Sequence, residues 1–483
     1  MKIPKEVKDI VEKFENKGFE AYPVGGCVRD IVAGETPEDW DITTNAKPDE
    51  IIEIFPDSVY ENDFGTVAIK TESEDETLKI IEVTTFRTER GYSDNRRPDK
   101  VEFTDKVEED LARRDFTINA LALDIKTKEF IDPYEGERDL SNKIVKTVGS
   151  PDERFQEDAL RLIRAVRFAI KLGFKLEEQT KKSILKNSEL IKTVAVERIR
   201  VEFEKIIMTS NAEKGIRLLQ KTGLLKNIVP ELEEGIGVQQ NEHHIYTVWE
   251  HNVRALKYSA EKDYSLEVRL ASLFHDIGKP KTKEGKGKKA TFHNHEIVGA
   301  NIVKKILKRL KFPKDTIKKV THLVRCHMFY YNVGEVSEAG VRRFLKKVGP
   351  ENVDNLIKVR EADRIGSGVP KAVPYKLRHL LFMIEKVKRD PISTSKLAID
   401  GKEVMDKINE KPGPKIGYIM KILLEEVIED PSKNKKPYLL SKIEELNKLD
   451  VEKLEKISKE AEKTRQEFER GIENKIKKKY YVK

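Results

Sequence analysis

Residues 24–44 read VGGCVRDIVAGETPEDWDITT, a stretch that packs several chemically useful groups close together. The pair Gly25 and Gly26 lets backbone come close to a ligand, because no Cβ intervenes. If CVRDIVAG opens a helix, its free N–H groups face a bound phosphate. Arg29, one turn inside, adds a charged fork. Asp39 and Asp41 flank Trp40, and alternate residues of a strand share a face. Neighbouring carboxylates repel unless a cation lies between them, and magnesium, which prefers oxygen ligands, is the natural occupant. Such ions activate an attacking hydroxyl and stabilise a leaving pyrophosphate. The competing reading is a tight turn followed by two solvated aspartates.

Further along, ARRDFTINALALD sets Arg114 and Asn119 where they could reach ribose or phosphate. In EDALRLIRAVRF, Asp158, Arg161, Arg164 and Arg167 recur every three residues, which predicts a polar ridge on a helix. A third set is histidine-based: all nine histidines fall after residue 242. His251, the adjacent pair His275 and Asp276, and Asp363 form a mixed nitrogen and oxygen ligand set suited to a transition metal such as Ni2+, Mn2+, Fe2+ or Co2+. His295 and His327 would enlarge it to two ions, whose bound water attacks phosphate esters. His243, His244, His322 and His379 read as ordinary surface or core residues.

The elements that must position these groups follow from periodicity. Residues 1–148 read as mixed α/β, with β-branched strands in TVAIKT, KIIEVTTFR and KVEFT. Residues 149–235 turn helical, with Gly173 and Gly223 at helix ends. Residues 243–365 carry the histidines, and 370–483 are helical and polar, punctuated by KPGPKIG and NKKP. The expected class is α+β, a mixed-sheet head followed by helical domains.

Composition narrows the options. Over 483 residues, 93 Lys and Arg against 85 Asp and Glu leave +8, too mild to show a nucleic-acid partner. Residues 431–483 hold 16 Lys and Arg against 10 Asp and Glu, so much of the excess is local. Two cysteines, Cys27 and Cys326, build no disulfide framework and point to a reducing compartment. No stretch approaches the roughly 20 apolar residues of a membrane span, and the opening residues show helical spacing rather than a leader. A cytoplasmic chain without membrane contact is expected, and no obligate protein partner is evident.

In order, GGCVRD…DWD, RRDFTINA, DPYEGERDL, EDALRLIRAVRF and VERIRVEF resemble the motifs of class II tRNA nucleotidyltransferases and bacterial poly(A) polymerases. The whole looks most like a CCA-adding enzyme carrying an HD domain. The resemblance implies a nucleotidyltransferase-type head, then neck, HD domain and tRNA-binding tail. It implies that Gly26 and Arg29 bind nucleotide, that Asp39 and Asp41 hold Mg2+, and that Arg114 contacts the triphosphate. Glu82 would be a third carboxylate. It likens residues 85–103, with Arg87, Arg96, Arg97 and Pro98, to a complete flexible loop, which favours addition of A.

Asp158 and Arg161 take the base-selecting positions by the same resemblance, and their chemistry agrees. Cytosine and adenine each show an amine beside a ring nitrogen acceptor, so Asp158 accepts and Arg161 donates. Uracil and guanine invert that pattern and leave both groups mispaired. Arg164 and Arg167 would meet phosphate or steady the pocket. The expected function is CCA addition to tRNA from CTP and ATP, with HD phosphohydrolase side activity. Poly(A) polymerase and A-only addition share the motifs. An HD phosphohydrolase with an RNA-recognising head, or a non-catalytic RNA-binding protein, would not need Gly26, Arg29, Asp39 and Asp41 intact.

Overall fold

The structure, a computed structural model, describes residues 3–62, 65–91, 100–241, 245–388 and 397–482. Arg96, Arg97 and Pro98 of the expected loop, and His243 and His244, lie outside the described residues. The chain divides into two compact units, residues 1–328 with 354–372, and residues 329–353 with 373–483.

The first unit opens with a five-stranded mixed sheet. Its strands are β1 (Ala21–Pro23), β2 (Asp41–Thr44), β3 (Val59–Asn62), β4 (Thr66–Lys70) and β5 (Ile80–Thr85), in the order β1-β2-β5-β4-β3. β2 and β5 run parallel and the other pairs antiparallel. Strand β5 alternates as its sequence predicts, burying Ile81, Val83 and Thr85 and exposing Ile80 and Glu82. A core of Val24, Phe86, Leu111 and Ala122 packs nearby.

Helices follow. Leu160–Leu172 buries most of its length and stops at Gly173. Val196–Met208 packs against it through its apolar face, which includes Ile199, Phe203 and Ile206. Within this helical stretch, Lys175–Leu176 also makes a short parallel pair with Ile144–Val145. Helices Val248–Glu261, Leu266–Phe274, His295–Arg309, Lys314–Cys326 and Val353–Gly366 carry the histidine cluster.

In the second unit, Leu397, Val404, Ile419, Leu423, Leu439 and Leu454 share one core. Asp400 caps helix Gly401–Ile408, accepting from Glu403 N (2.9 Å) while the Glu403 carboxylate accepts from Asp400 N (3.0 Å). Among the described residues no helix is long and apolar enough to cross a membrane. Both cysteines are buried thiols outside any disulfide.

Candidate functional site

One cavity of about 500 Å3 gathers Gly26, Arg29, Asp39, Asp41, Arg114, Asn119, Asp158, Arg161, Arg164 and Arg167. Between β1 and helix Gly26–Val32 the backbone turns at Gly25, whose φ of 80° favours glycine. A Cβ there would lie 2.8 Å from Arg114 Nη1, so the glycine also admits that guanidinium.

Strand β2 starts at Asp41, whereas Asp39 sits in the bend before it. The two aspartates therefore reach the cavity from a bend and a strand, not from alternate strand positions. Buried Trp40 anchors the corner between them. Burial raises the Asp41 carboxyl above its usual range; Arg114 opposes the shift and Asp39 adds to it. A carboxylate disfavoured in this way gains from a cation, so the donor set fits a hard divalent ion. Glu82 is the partner of Asp41 across the parallel β2–β5 pair, which puts both on one face of the sheet. It is exposed and does not line the cavity.

A polar chain crosses the cavity floor. Arg29 Nη1 donates to Asn119 Oδ1 at 2.8 Å, and Asn119 Nδ2 donates to Asp115 Oδ1 at 3.1 Å. Asp115 Oδ2 accepts from Arg164. Burial alone would raise the Asp115 pKa, but the Arg164 charge and the bonds from Asn119 and Arg164 lower it. Arg167 pairs with Glu202 at 2.5 Å. Phe168 collects the guanidinium groups of Arg29, Arg164 and Arg167 at 5.6, 5.3 and 3.9 Å from its ring centre.

Asp158 departs from the expected helical ridge. It precedes helix Leu160–Leu172 in extended backbone (φ −133°, ψ 103°) and accepts from Leu160 N at 3.0 Å. Its second oxygen accepts from Arg198 at 3.1 Å. Arg161 donates to Glu157 (2.6 Å) and to the Arg113 carbonyl (2.9 Å). Sequence reasoning assigned no role to Asp115, Phe168, Arg198 or Glu202, although the quoted RRDFTINA, EDALRLIRAVRF and VERIRVEF contain them.

The histidine set also converges. His275 and Asp276 lie just past helix Leu266–Phe274 rather than on it. His251 Nε2 lies 3.1 Å from Asp276 Oδ2 and 3.4 Å from Asp363 Oδ1. His295 and His327 present Nε2 to the other oxygen, Asp276 Oδ1, at 3.3 and 3.6 Å. Asp276 thus stands between two ligand groups, His251 with His275 and Asp363, and its own with His295 and His327.

The Nδ1 atoms of His275, His295 and His327 each sit 2.7–2.8 Å from the carbonyl three residues back. Each Nδ1–H therefore donates there and leaves Nε2 with its lone pair inward. The buried Nε2 atoms of His295 and His327 have no hydrogen-bond partner, an orphaned donor set that fits metal ions. Burial opposes protonation of His251, yet Asp276 and Asp363 raise its pKa to about 9. Burial likewise opposes ionisation of Asp276, but Lys279 and the histidines hold it well below the usual range. Lys279 Nζ reaches Asp276 at 2.6 Å and Gln240 at 2.6 Å, two partners the sequence did not signal.

Paired carboxylates in a cation-lined cavity beside a mixed sheet, with a histidine–aspartate cluster downstream, define a nucleotidyltransferase joined to an HD domain. Residues 21–146 match the poly A polymerase head domain family. Residues 173–236 match the probable RNA and SrmB-binding site of polymerase A, and 248–367 match the HD domain. The CCA-adding enzyme of Enterococcus faecalis is 33% identical over 453 residues, 91% of this chain and 96% of that one. That of Lactococcus lactis is 32% identical over 454 residues, covering 92% and 99%. The crystal structure of Bacillus stearothermophilus CCA-adding enzyme in complex with CTP superposes with a TM-score of 0.58 at 27% identity, covering 93% of this chain and 98% of that one. The chain belongs to the CCA-adding enzyme family of tRNA nucleotidyltransferases.

Proposed function

We propose that the chain adds C, C and A to the 3′ end of tRNA from CTP and ATP, without a nucleic-acid template. The observation that carries this is the single cavity holding Asp39 and Asp41 beside Asp158 and Arg161. It joins a carboxylate pair for nucleotidyl transfer to an acceptor–donor pair for a base. The tRNA 3′ hydroxyl gives its proton to solvent water, its oxygen bonds to the α-phosphorus, and the bond from that phosphorus to the bridging oxygen breaks, releasing pyrophosphate. Mg2+ held by Asp39 and Asp41, with Glu82 alongside, would make the hydroxyl more acidic and offset the leaving charge. Gly26 and the Arg29–Asn119 pair bind sugar and phosphate, while Arg114 meets the triphosphate.

Asp158 accepts from the amine of cytosine or adenine and Arg161 donates to the ring nitrogen. Arg198 holds Asp158 and Glu157 holds Arg161, so the pair meets the base already oriented. Arg164 and Arg167, tied to Asp115 and Glu202, steady the pocket. In this reading residues 1–148, 149–235, 243–365 and 370–483 are head, neck, HD domain and tRNA-binding tail, working in the cytoplasm.

The test supplies tRNAs ending before CCA, after C and after CC with labelled CTP or ATP. Two C and one A are expected. Absence of C incorporation, or long A tails on RNA other than tRNA, would overturn the reading. Relatives named for CCA addition along nearly their whole length favour it over poly(A) or A-only addition.

A second activity, hydrolysis of phosphate esters, is proposed for His251, His275, Asp276, His295, His327 and Asp363 on the strength of their two convergent ligand groups and the orphaned Nε2 atoms of His295 and His327. Transition-metal ions held there would supply a nucleophilic water. Metal analysis and a 2′,3′-cyclic phosphate assay test it; a metal-free protein without turnover sinks it.

A further inference from the structure

Helices His295–Arg309 and Lys314–Cys326 pack against each other, and a groove of about 650 Å3 is lined by both. Lys304 and Lys308 line it from the first helix, and Lys314, Lys318 and Arg325 from the second. All five side chains are exposed, and half-buried Ile317 adds apolar surface to the groove. No carboxylate lines this groove.

The same segment pairs three of its four other cations, Lys305 being the exception among the described residues. Arg309 pairs with Glu231 at 2.6 Å, Lys311 with Glu197 at 2.5 Å and Lys319 with Glu267 at 3.6 Å. Among the described residues, none of the five groove cations has an ion-pair partner within 4.0 Å. Charge is thus mostly compensated off the groove and left uncompensated within it.

Spacing makes this a track rather than a scatter. Lys304 and Lys308 are four apart, and Lys314, Lys318 and Arg325 fall at i, i+4 and i+11, on one helix face. At a rise of about 1.5 Å per residue the second row runs for about 16 Å. Like charges four apart destabilise a helix, so the arrangement awaits an anion. A row of that length is matched by successive phosphates, not by one small ion.

We propose that this groove holds the sugar–phosphate backbone of RNA, as a contact separate from the nucleotide cavity. The inference rests on the proposed action on tRNA, which favours RNA over an acidic protein segment as the occupant. The groove reads charge, not sequence, and contributes salt-sensitive affinity.

The test measures tRNA binding to the full chain across a series of KCl concentrations. The groove variant is Lys308→Gln with Lys318→Gln; the control is Lys311→Gln with Lys319→Gln, the same charge change at the ion-paired positions. The groove variant should bind tRNA about 10-fold more weakly at low salt. Its slope of log affinity against log salt should shrink by about 1.4, at about 0.7 per contact on a single strand. The control should keep the unsubstituted slope, and CTP binding should be unchanged in both. Equal slopes in groove variant and control would overturn the proposal. So would a groove variant that loses polyglutamate binding and keeps its tRNA slope, because the occupant would then be an acidic chain. Nucleotide incorporation by the unsubstituted enzyme is scored separately. Failure there with a changed slope rejects the tRNA reading and leaves the groove; success with an unchanged slope does the reverse.

Discussion

Arg164 grips a single carboxylate oxygen of Asp115, with Nε at 2.8 Å and Nη2 at 2.5 Å. Forty-nine positions separate them in the chain, and their contact fastens helix Leu160–Leu172 to the segment carrying Arg114 and Asn119. That ion pair, with the Arg161 bond to the Arg113 carbonyl, ties the proposed base-selecting groups to the proposed phosphate-binding ones. Asp115→Asn should cost about 3 kcal/mol in denaturant unfolding at neutral pH, because it leaves a guanidinium without its counter-charge.

The same pair sets an acid response. The folded pKa of Asp115 lies below its unfolded value near 3.8. Its stabilisation is therefore complete above that value and fades as pH falls through the lower folded one. Unsubstituted protein should lose stability more steeply than Asp115→Asn below about pH 4. Parallel pH profiles of the unfolding midpoint would refute this.

Asp41 has the opposite sign. Burial raises its folded pKa, so at neutral pH the ionised group costs stability. Asp41→Asn should therefore melt higher than the unsubstituted protein at pH 7 in metal-free buffer. It should also lose about 10^3-fold or more in nucleotide incorporation while still binding tRNA. Stability and activity moving together would contradict this placement of Asp41.

Selectivity should reside in Asp158 and Arg161. The ratio of kcat/KM for CTP over UTP should drop by about 10^2-fold or more in Arg161→Ala. Arg198→Ala, which frees Asp158 Oδ2, should lower the same ratio by a smaller factor. A ratio unchanged in Arg161→Ala would remove the base-pairing argument.

At the histidine cluster, backbones meet at Gly278, where a Cβ would lie 2.3 Å from the His295 carbonyl oxygen. Gly278→Ala must push His295 away, at a cost of about 1–3 kcal/mol. It should also lower bound metal per chain, read by elemental analysis, with nucleotide addition left intact. Full metal content in Gly278→Ala would show that the His295 position is unimportant for binding.

The chemistry was more legible than the geometry. Residues from GGCVRD, DWD, RRDFTINA and EDALRLIRAVRF meet in one cavity, as their types foretold. Periodicity misplaced Asp158, because a helix can start within a run whose apolar spacing continues through it. Asp39 likewise lies two residues outside its strand. Partners such as Glu202 for Arg167 and Gln240 for Lys279 depend on packing between elements distant in sequence, which local pattern does not encode. The uneven compensation of lysines along residues 295–326 was equally invisible, since net charge counts cations without asking which are paired.

His275, His295 and His327 each take their anchoring carbonyl from the residue three positions earlier, Ser272, Phe292 and Val324. Each ring is thus aimed by its own segment of chain, with no neighbour required to set its tautomer. Such a cluster can accept wide change in the residues around it, provided each chain turn survives. Its weak points are therefore local: a proline or an insertion inside any of these three short turns would disarm one ligand while leaving the others correctly aimed.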